Sequence, residues 1–557
     1  MIEIIKSKIK NIIEEKYEID NVTVEDGKIA NVDISVPLFV VSKQTKQNPK
    51  MVFDELVQLI DLEEVKSVVF LNGFLNIQLD EVLIAKNVIN TILSEKDNYG
   101  STDYNKDEVI VIDYSSPNIA KSFGVGHLRS TVIGNAIKNL YLKTGAEVIG
   151  INHLGDWGTQ FGKMIVAYKL WGSKELIDND PIRELQKLYV RFHAEEKTNP
   201  ELEQQGRDAF KKLEENDPEM LQLWNWFKDE SLKEFMRVYD RLGVTFESYN
   251  GEAYYNDKMD VVIEELESKN LLKLDNGASI VDLEKYNLPP ALIKKSDGAT
   301  LYMTRDLAAL FYRLNKYNFT KVLYVVGNEQ KLHFDQLKAV SQEMGYDLDI
   351  EHVGFGLVMV DGKKMSTRGG RFERLEEVLN QASLDAKVAI TDKNPNLKDQ
   401  EYVSEAVGVG AIIFNDLKND RHLNFEFDLS NMLKFEGQTG PYLQYSGVRI
   451  ASILKSQTLD INNIDYSYFE ETHYYDVVKL LASFPHIIKR SSDLNYPSVL
   501  ARYLIALAQE FNSFYGKQKI VVENKEHLNA NLALVQSIRY VLDEGMRILG
   551  LKALDEM

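Results

Sequence analysis

A chain of 557 residues is too long for a single hydrophobic core and implies about three or four domains. With 44% hydrophobic and 27% charged residues it has an ordinary globular composition, and the absence of cysteine excludes disulfides and cysteine-ligated zinc. The net charge of −20 excludes general basicity as a route to nucleic acid, but an acidic total can coexist with a basic groove, so that partner stays open.

The amino-terminal stretch MIEIIKSKIKNIIEEKYEID has amphipathic helical spacing and acidic residues rather than the pattern of a leader. No run approaches a membrane span. A cytoplasmic chain without a membrane partner is therefore expected. Residues 1–100 read as a small α/β or α+β module. Helices are expected at Ile2–Glu15, Pro49–Ile60 and Glu81–Glu95, and strands at Ala30–Ile34 and Val68–Leu79, the latter broken at Asn72-Gly73.

The segment Val109–Tyr141, VIVIDYSSPNIAKSFGVGHLRSTVIGNAIKNLY, carries the first chemistry. Val109–Ile112 is a short β-branched run that suits a buried strand. A loop with Pro117, Asn118, Gly124 and Gly126 follows, and Leu128, Val132, Ile133, Ala136, Ile137 and Leu140 then recur at helical spacing. Gly145 ends the helix and Glu147–Ile151 is the next strand. Such a βαβ unit points the first amides of a helix at an anion above the sheet, and a polyphosphate suits it best. The strand exit INHLGDWGTQFGKM places His153, Asp156, Trp157 and Gln160 where open α/β sheets bind ligands. From about 163 to 270 the chain is charged and helical, and reads as a scaffold inserted between two halves of the fold.

The second half has strands at Ala278–Leu283 and Lys321–Val326, an Asp-Gly turn within Ala291–Asp306, and a helix opened by Asp306 and running to about Tyr317. His352–Val360 reads as a strand leading into DGKKMSTRGGR, a glycine-flanked basic loop. Beyond Phe372 the sequence is almost wholly helical. Lys121 and His127 on one side, and Lys363, Lys364 and Arg368 on the other, suit phosphoryl or nucleotidyl transfer, where positioning and charge stabilisation dominate. No Walker A pattern is present at the first turn.

GVGH at Gly124–His127 resembles the HIGH motif of class I aminoacyl-tRNA synthetases, and KMSTR at Lys364–Arg368 resembles their KMSKS loop. SSPNIAKSFGVGHLRSTVIGNAI, LGDWGTQFG, LYMTRDLAA, GPYLQY and MRILGLKAL are similar to arginyl-tRNA synthetases, and NGFLN resembles that family's amino-terminal module. The resemblance implies an α/β fold: a HIGH-type, Rossmann-like parallel-sheet catalytic domain with an insertion. It would occupy 101–375, between a tRNA-binding module at 1–100 and an all-helical stem and anticodon-binding domain at 376–557. It implies a monomeric ligase that uses ATP, with Mg²⁺ on the phosphates, to charge tRNA(Arg) with L-arginine. Arginine alone should support pyrophosphate exchange, and only with tRNA present.

By the same resemblance, Lys121, His127, Lys364, Ser366 and Arg368 carry catalysis, and Gly124, Gly126, His127, Lys364 and Met365 hold ATP. Asp113, Ser116, Asn118, His127, Tyr302, Asp306 and Gln330 hold arginine. Asn72, Phe74, Asn76, Gln438, Tyr442 and Arg449 meet tRNA. A guanidinium fork independently favours a rigid carboxylate such as Asp306, although Asp306 also reads as a helix N-cap with Arg305 as its surface partner. Tyr442, Tyr445, Phe511, Phe514 and Tyr515 are either RNA-stacking rings or core, and a mixture is expected. Two departures stand out: Gly124 replaces the first histidine of HIGH, and Thr367 the second lysine of KMSKS. Lys121 is placed to compensate, against the alternative of a solvated loop lysine. The departures also raise a catalytically inactive tRNA-binding paralogue as an alternative, and another synthetase or a small nucleotidyltransferase is a third.

Overall fold

The computed structural model describes residues 1–295, 302–360, 362–364 and 374–557, with Lys364 described by its backbone. A parallel sheet of four short strands lies at the centre, in the order Asp349–His352, Lys321–Tyr324, Val109–Asp113, Glu147–Ile151. Ile110, Val111 and Ile112 are buried on both faces of it, as their unbroken apolar run requires. The helix Val125–Lys143 follows the Val109–Asp113 strand and is enclosed along most of its length. Its far side is covered by the carboxyl-terminal helix Lys525–Leu549: Asn139 donates to the Ile548 carbonyl at 3.0 Å, and Lys143 pairs with Glu544 at 2.9 Å.

The amino-terminal module packs the helix Ile2–Tyr17 on an antiparallel sheet, in which Val65–Leu71 and Phe74–Leu79 form a hairpin. Its two-residue turn puts Asn72 at φ 53° and Gly73 at φ 82°, the left-handed pair a tight hairpin needs. The helix Glu81–Glu95 is found as expected. The expected strand at Ala30–Ile34 is instead Ile34–Pro37, because Asn31 turns the chain at φ 59° and the inward alternation of Ile34 and Val36 begins only there. The helix expected over Pro49–Ile60 stops at Leu56.

Five helices between Thr159 and Leu242 form the insertion's body, the longest being Pro218–Leu242. The stretch His352–Val360 is not one strand. Asp349–His352 belongs to the central sheet, whereas Val358–Val360 pairs with Lys363–Lys364 and with Phe425–Glu426 in a separate small sheet. Gly356 allows the crossing: a Cβ there would lie 2.6 Å from the backbone of Leu423.

The buried Arg129 fastens this region to the helical tail. It donates to Asp416 at 3.2 Å and to the carbonyls of Leu423 at 2.9 Å and Arg421 at 3.3 Å. Arg129→Met would leave the buried Asp416 carboxylate unpaired, and should cost about 3–5 kcal/mol, read as a lower urea midpoint.

Candidate active site

The loop after the Val109–Asp113 strand holds Ser115 at φ 74°, Ser116 at φ 47° and Ala120 at φ 57°. Side chains other than glycine resist this region, at roughly 1 kcal/mol or more each, unless neighbours fix them. Here they do. The Ser115 amide donates to Ser130 Oγ at 2.8 Å, its hydroxyl lies 2.8 Å from the Tyr239 hydroxyl, and the Ala120 amide donates to Ser231 Oγ at 2.8 Å. Ser231 and Tyr239 belong to the insertion helix Pro218–Leu242, so the insertion braces this loop. Asn118 is seated against Gly155, where an added Cβ would fall 2.2 Å from its side-chain oxygen.

Gly124 takes the N-cap of Val125–Lys143 without a side-chain cap, which leaves first-turn amides for a ligand. A cleft of about 470 Å³ opens beside this helix end. Ser116, Asn118, Gly126, His127, Glu329 and Gln330 line it, together with Leu357 and Val358. It lies where the chain leaves Val109–Asp113 toward Glu147–Ile151 on one side and returns through Lys321–Tyr324 on the other, the switch point of an open parallel sheet. A Cβ on Gly126 would meet no protein atom within 4 Å.

The His127 ring stacks on Phe123 at 5.4 Å and its buried Nδ1 has no hydrogen-bond partner among the described residues. Burial, with Lys121 adding to it, pushes its pKa down to about 4, so the imidazole is neutral at physiological pH. Burial also lowers the Lys121 pKa, and Lys121 has no carboxylate partner among the described residues. Lys363–Lys364 forms a strand against Met359–Val360, next to the Val358 that lines the cleft. Met365, Ser366 and Arg368, like the Asp297-Gly298 turn, lie outside the described residues.

Beside the cleft lies a cluster of charged and polar side chains around Asp306. Asp306 does not open its helix, which begins at Tyr302, so the N-cap reading is corrected. Its Oδ2 lies 2.6 Å from His333 Nε2. Burial opposes ionisation of Asp306, but the His333 hydrogen bond, with His333, His153 and Arg313 nearby, holds its pKa below the usual carboxylate range. Arg305 turns to Glu252 at 3.5 Å rather than to solvent. Tyr302 is 69% exposed, one turn before Asp306.

Asp113 or its neighbours Ser116 and Asn118 are expected at the α-amino group of arginine by the resemblance; of these Asp113 is already engaged, with Arg313 on its Oδ2 at 2.8 Å and the Ser116 hydroxyl donating to its Oδ1 at 3.0 Å. Asp113 thus anchors this cluster, and Ser116 and Asn118 are the members of that trio that line the cleft. Asp156, at the strand exit, is buried and satisfied by Lys228 at 2.7 Å and by the Ala253 amide at 2.8 Å, so it holds the insertion instead of facing a ligand.

Sequence reasoning passed over Arg313, His333 and Glu252. Arg313 stands two helical turns after Asp306 on the same face, and that seven-residue spacing was a usable signal. Burial pushes the Glu252 pKa up to about 7, against Arg305 and with Asp306 and Asp156 adding to the rise.

Of the residues expected at RNA, Asn72 is exposed on its turn and Phe74 is half-buried against Phe39. Asn76 is corrected to a core position, buried and accepting from Ser35 Oγ at 2.7 Å. Gln438 is exposed, and Tyr442 is half-buried and accepts from Asn512 at 3.0 Å. Arg449 lies between the exposed rings of Tyr445 and Tyr515, 5.1 Å from each, whereas Phe511 and Phe514 are core.

A parallel sheet with an uncapped glycine-rich helix start at its switch point, a braced insertion and a helical tail is the architecture of a class I aminoacyl-tRNA synthetase. Family models match along the chain: "Arginyl tRNA synthetase N terminal domain" at 1–79, "tRNA synthetases class I (R), catalytic domain" at 88–429, and "DALR anticodon binding domain" at 443–557. The chain belongs to the arginyl-tRNA synthetase family. An arginine–tRNA ligase of Pediococcus pentosaceus is 51% identical, over 94% of this chain and 93% of its own. One from an Exiguobacterium species is 50% identical, over 99% and 98%. The arginyl-tRNA synthetase structure from Plasmodium falciparum aligns with a TM-score of 0.84 at 25% identity, over 100% of this chain and 99% of that one. The Thermus thermophilus structure shares the fold, with a TM-score of 0.86 at 22% identity and full coverage of both chains.

Proposed function

We propose that this chain is an arginine–tRNA ligase that activates L-arginine with ATP and transfers it to the 3′-terminal adenosine of tRNA(Arg), acting as a cytoplasmic monomer. The observation that carries the site assignment is the double placement of Ser116, which lines the phosphate-facing cleft and also donates to Asp113 in the adjoining carboxylate pocket. Arginine in that pocket would present its carboxylate to an ATP α-phosphate in the cleft.

In the first step an arginine carboxylate oxygen bonds to the α-phosphorus as the bond to pyrophosphate breaks. The first amides of Val125–Lys143 and the neutral His127 would donate to the oxygens on which charge builds. Lys121 and the Lys364 loop would offset charge on the phosphates. Mg²⁺ would enter on those phosphates. Glu329 is the lone carboxylate among the described residues that line the cleft. In the second step a terminal ribose hydroxyl attacks the arginyl carbonyl and AMP leaves.

Asp306 and Glu252 are the proposed partners of the guanidinium. Intact Lys121, His127 and Lys364 support an active enzyme over an inactive paralogue. The test is transfer of labelled arginine to the tRNA fraction: the reading requires acid-stable, base-labile label that depends on ATP, and unlabelled tRNA would refute it.

A pH dependence follows from Glu252. Its pKa of about 7 means that it is largely protonated at pH 6, while a bound guanidinium favours the ionised form. The arginine KM should therefore rise as pH falls from 8 to 6, by at most about tenfold per unit, and Glu252→Gln should flatten that slope.

A further inference from the structure

We propose that Tyr189, on the insertion helix Pro181–Glu195, is a positioning residue for the reaction: its ring holds the Lys121 ammonium beside the nucleotide cleft. The inference deepens the proposed function and rests on the phosphate-facing role given there to Lys121.

Lys121 follows the left-handed Ala120 in the braced loop, and its Nζ lies over the Tyr189 ring, 5.4 Å from the centroid. The next residue, Ser122, hydrogen-bonds Gln186, which lies one turn before Tyr189 on the same helix face. Tyr189 is itself fixed by the edge of His193, one turn later, at 4.3 Å between centroids. His193 in turn pairs with Glu196. The same helix also meets the chain that follows the KMSTR segment. Asp180, directly before Pro181, pairs with Arg374 at 3.0 Å, and the amide of the following Leu375 donates to the Phe123 carbonyl at 2.8 Å. One helix thus sets the positions of Lys121 and Ser122 and also of the chain that returns from the KMSTR segment.

An aromatic face suits this task better than a carboxylate. It attracts the ammonium enough to localise a long flexible side chain, but it does not neutralise the charge that a phosphate must meet. A carboxylate partner would compete with the phosphate directly.

The test compares Tyr189→Phe, Tyr189→Leu and Lys121→Ala in arginine-dependent pyrophosphate exchange with tRNA present, together with the Tyr189→Leu/Lys121→Ala double variant. Phenylalanine keeps the ring and should stay within about twofold of the parent, whereas leucine should lower kcat by about tenfold with the arginine KM unchanged. In the Lys121→Ala background, Tyr189→Leu should add nothing. A Tyr189→Leu enzyme as fast as the parent, or a full further loss in the Lys121→Ala background, overturns the inference while leaving the role of Lys121 intact. A Lys121→Ala enzyme with undiminished kcat removes that role and this inference with it.

Discussion

Asparagine at position 306 is expected to raise the arginine KM by about a hundredfold or more while leaving the ATP KM within about twofold. The residue sits on the second turn of Tyr302–Tyr317, and His333 fixes one of its oxygens. Its carboxylate is held in the charged form although burial works against this. Asparagine is nearly isosteric and can keep a hydrogen bond to His333, so the pocket keeps its shape and loses its charge. A guanidinium then loses the anion its fork was matched to, and the remaining amide presents an N–H₂ group that repels it. Nothing in that change reaches the phosphate cleft, whose lining does not include Asp306. The two Michaelis constants separate the outcomes: equal rises for arginine and ATP would take Asp306 out of the amino-acid pocket.

The second large effect is expected at His127. Alanine there should lower kcat for pyrophosphate exchange by about 10²–10³-fold, the usual loss for one preorganised donor at a centre of developing charge. The ring is held by stacking on Phe123, so little conformational freedom is left to be lost when the α-phosphate crowds. Because burial keeps the imidazole neutral until pH approaches about 4, it acts as a hydrogen-bond donor and not as a cation. Two consequences follow. His127→Asn, which retains an N–H donor, should recover part of the lost rate. Protonation of His127 should also produce no inflection in the rate between pH 6 and 8. An inflection near pH 6.5 that vanishes in the asparagine variant would contradict the assignment of a neutral donor.

The unit at Val109–Ile151 was legible because every level of its sequence agrees: an apolar run long enough for a strand, a glycine-rich turn, a 3.6-residue period and a glycine stop. The hairpin at Asn72-Gly73 was legible for the same reason. Elsewhere a local signal misled. Asp306 has the chemistry of a helix cap, but the helix extends back to Tyr302, with Met303 and Thr304 buried and Thr304 Oγ1 donating to the Ile293 carbonyl at 2.8 Å. Tertiary packing set that boundary. The run His352–Val360 has the composition of one strand, yet the chain changes sheets inside it, because its second half pairs with Phe425–Glu426 from the helical tail.

The insertion was read as scaffold, and its braces could not have been seen in its sequence. Ser231 and Tyr239 act on Ala120 and Ser115 across more than a hundred residues, and no spacing rule links such positions. The Asp113–Arg313 pair was hidden in the same way. Asn76 illustrates the converse: the NGFLN segment runs from a hairpin turn into a strand, so Asn72 stays exposed at the tip while Asn76 is buried within the sheet against Ser35.

The central claim is that a phosphate cleft and a guanidinium-selective carboxylate pocket work as one site. It is tested most directly by pyrophosphate exchange measured with each of the twenty standard amino acids in the presence of tRNA(Arg). Arginine alone should support exchange, because only its planar fork answers Asp306 and Glu252 together. Exchange of comparable rate with lysine or glutamine, or none with arginine, would contradict the account.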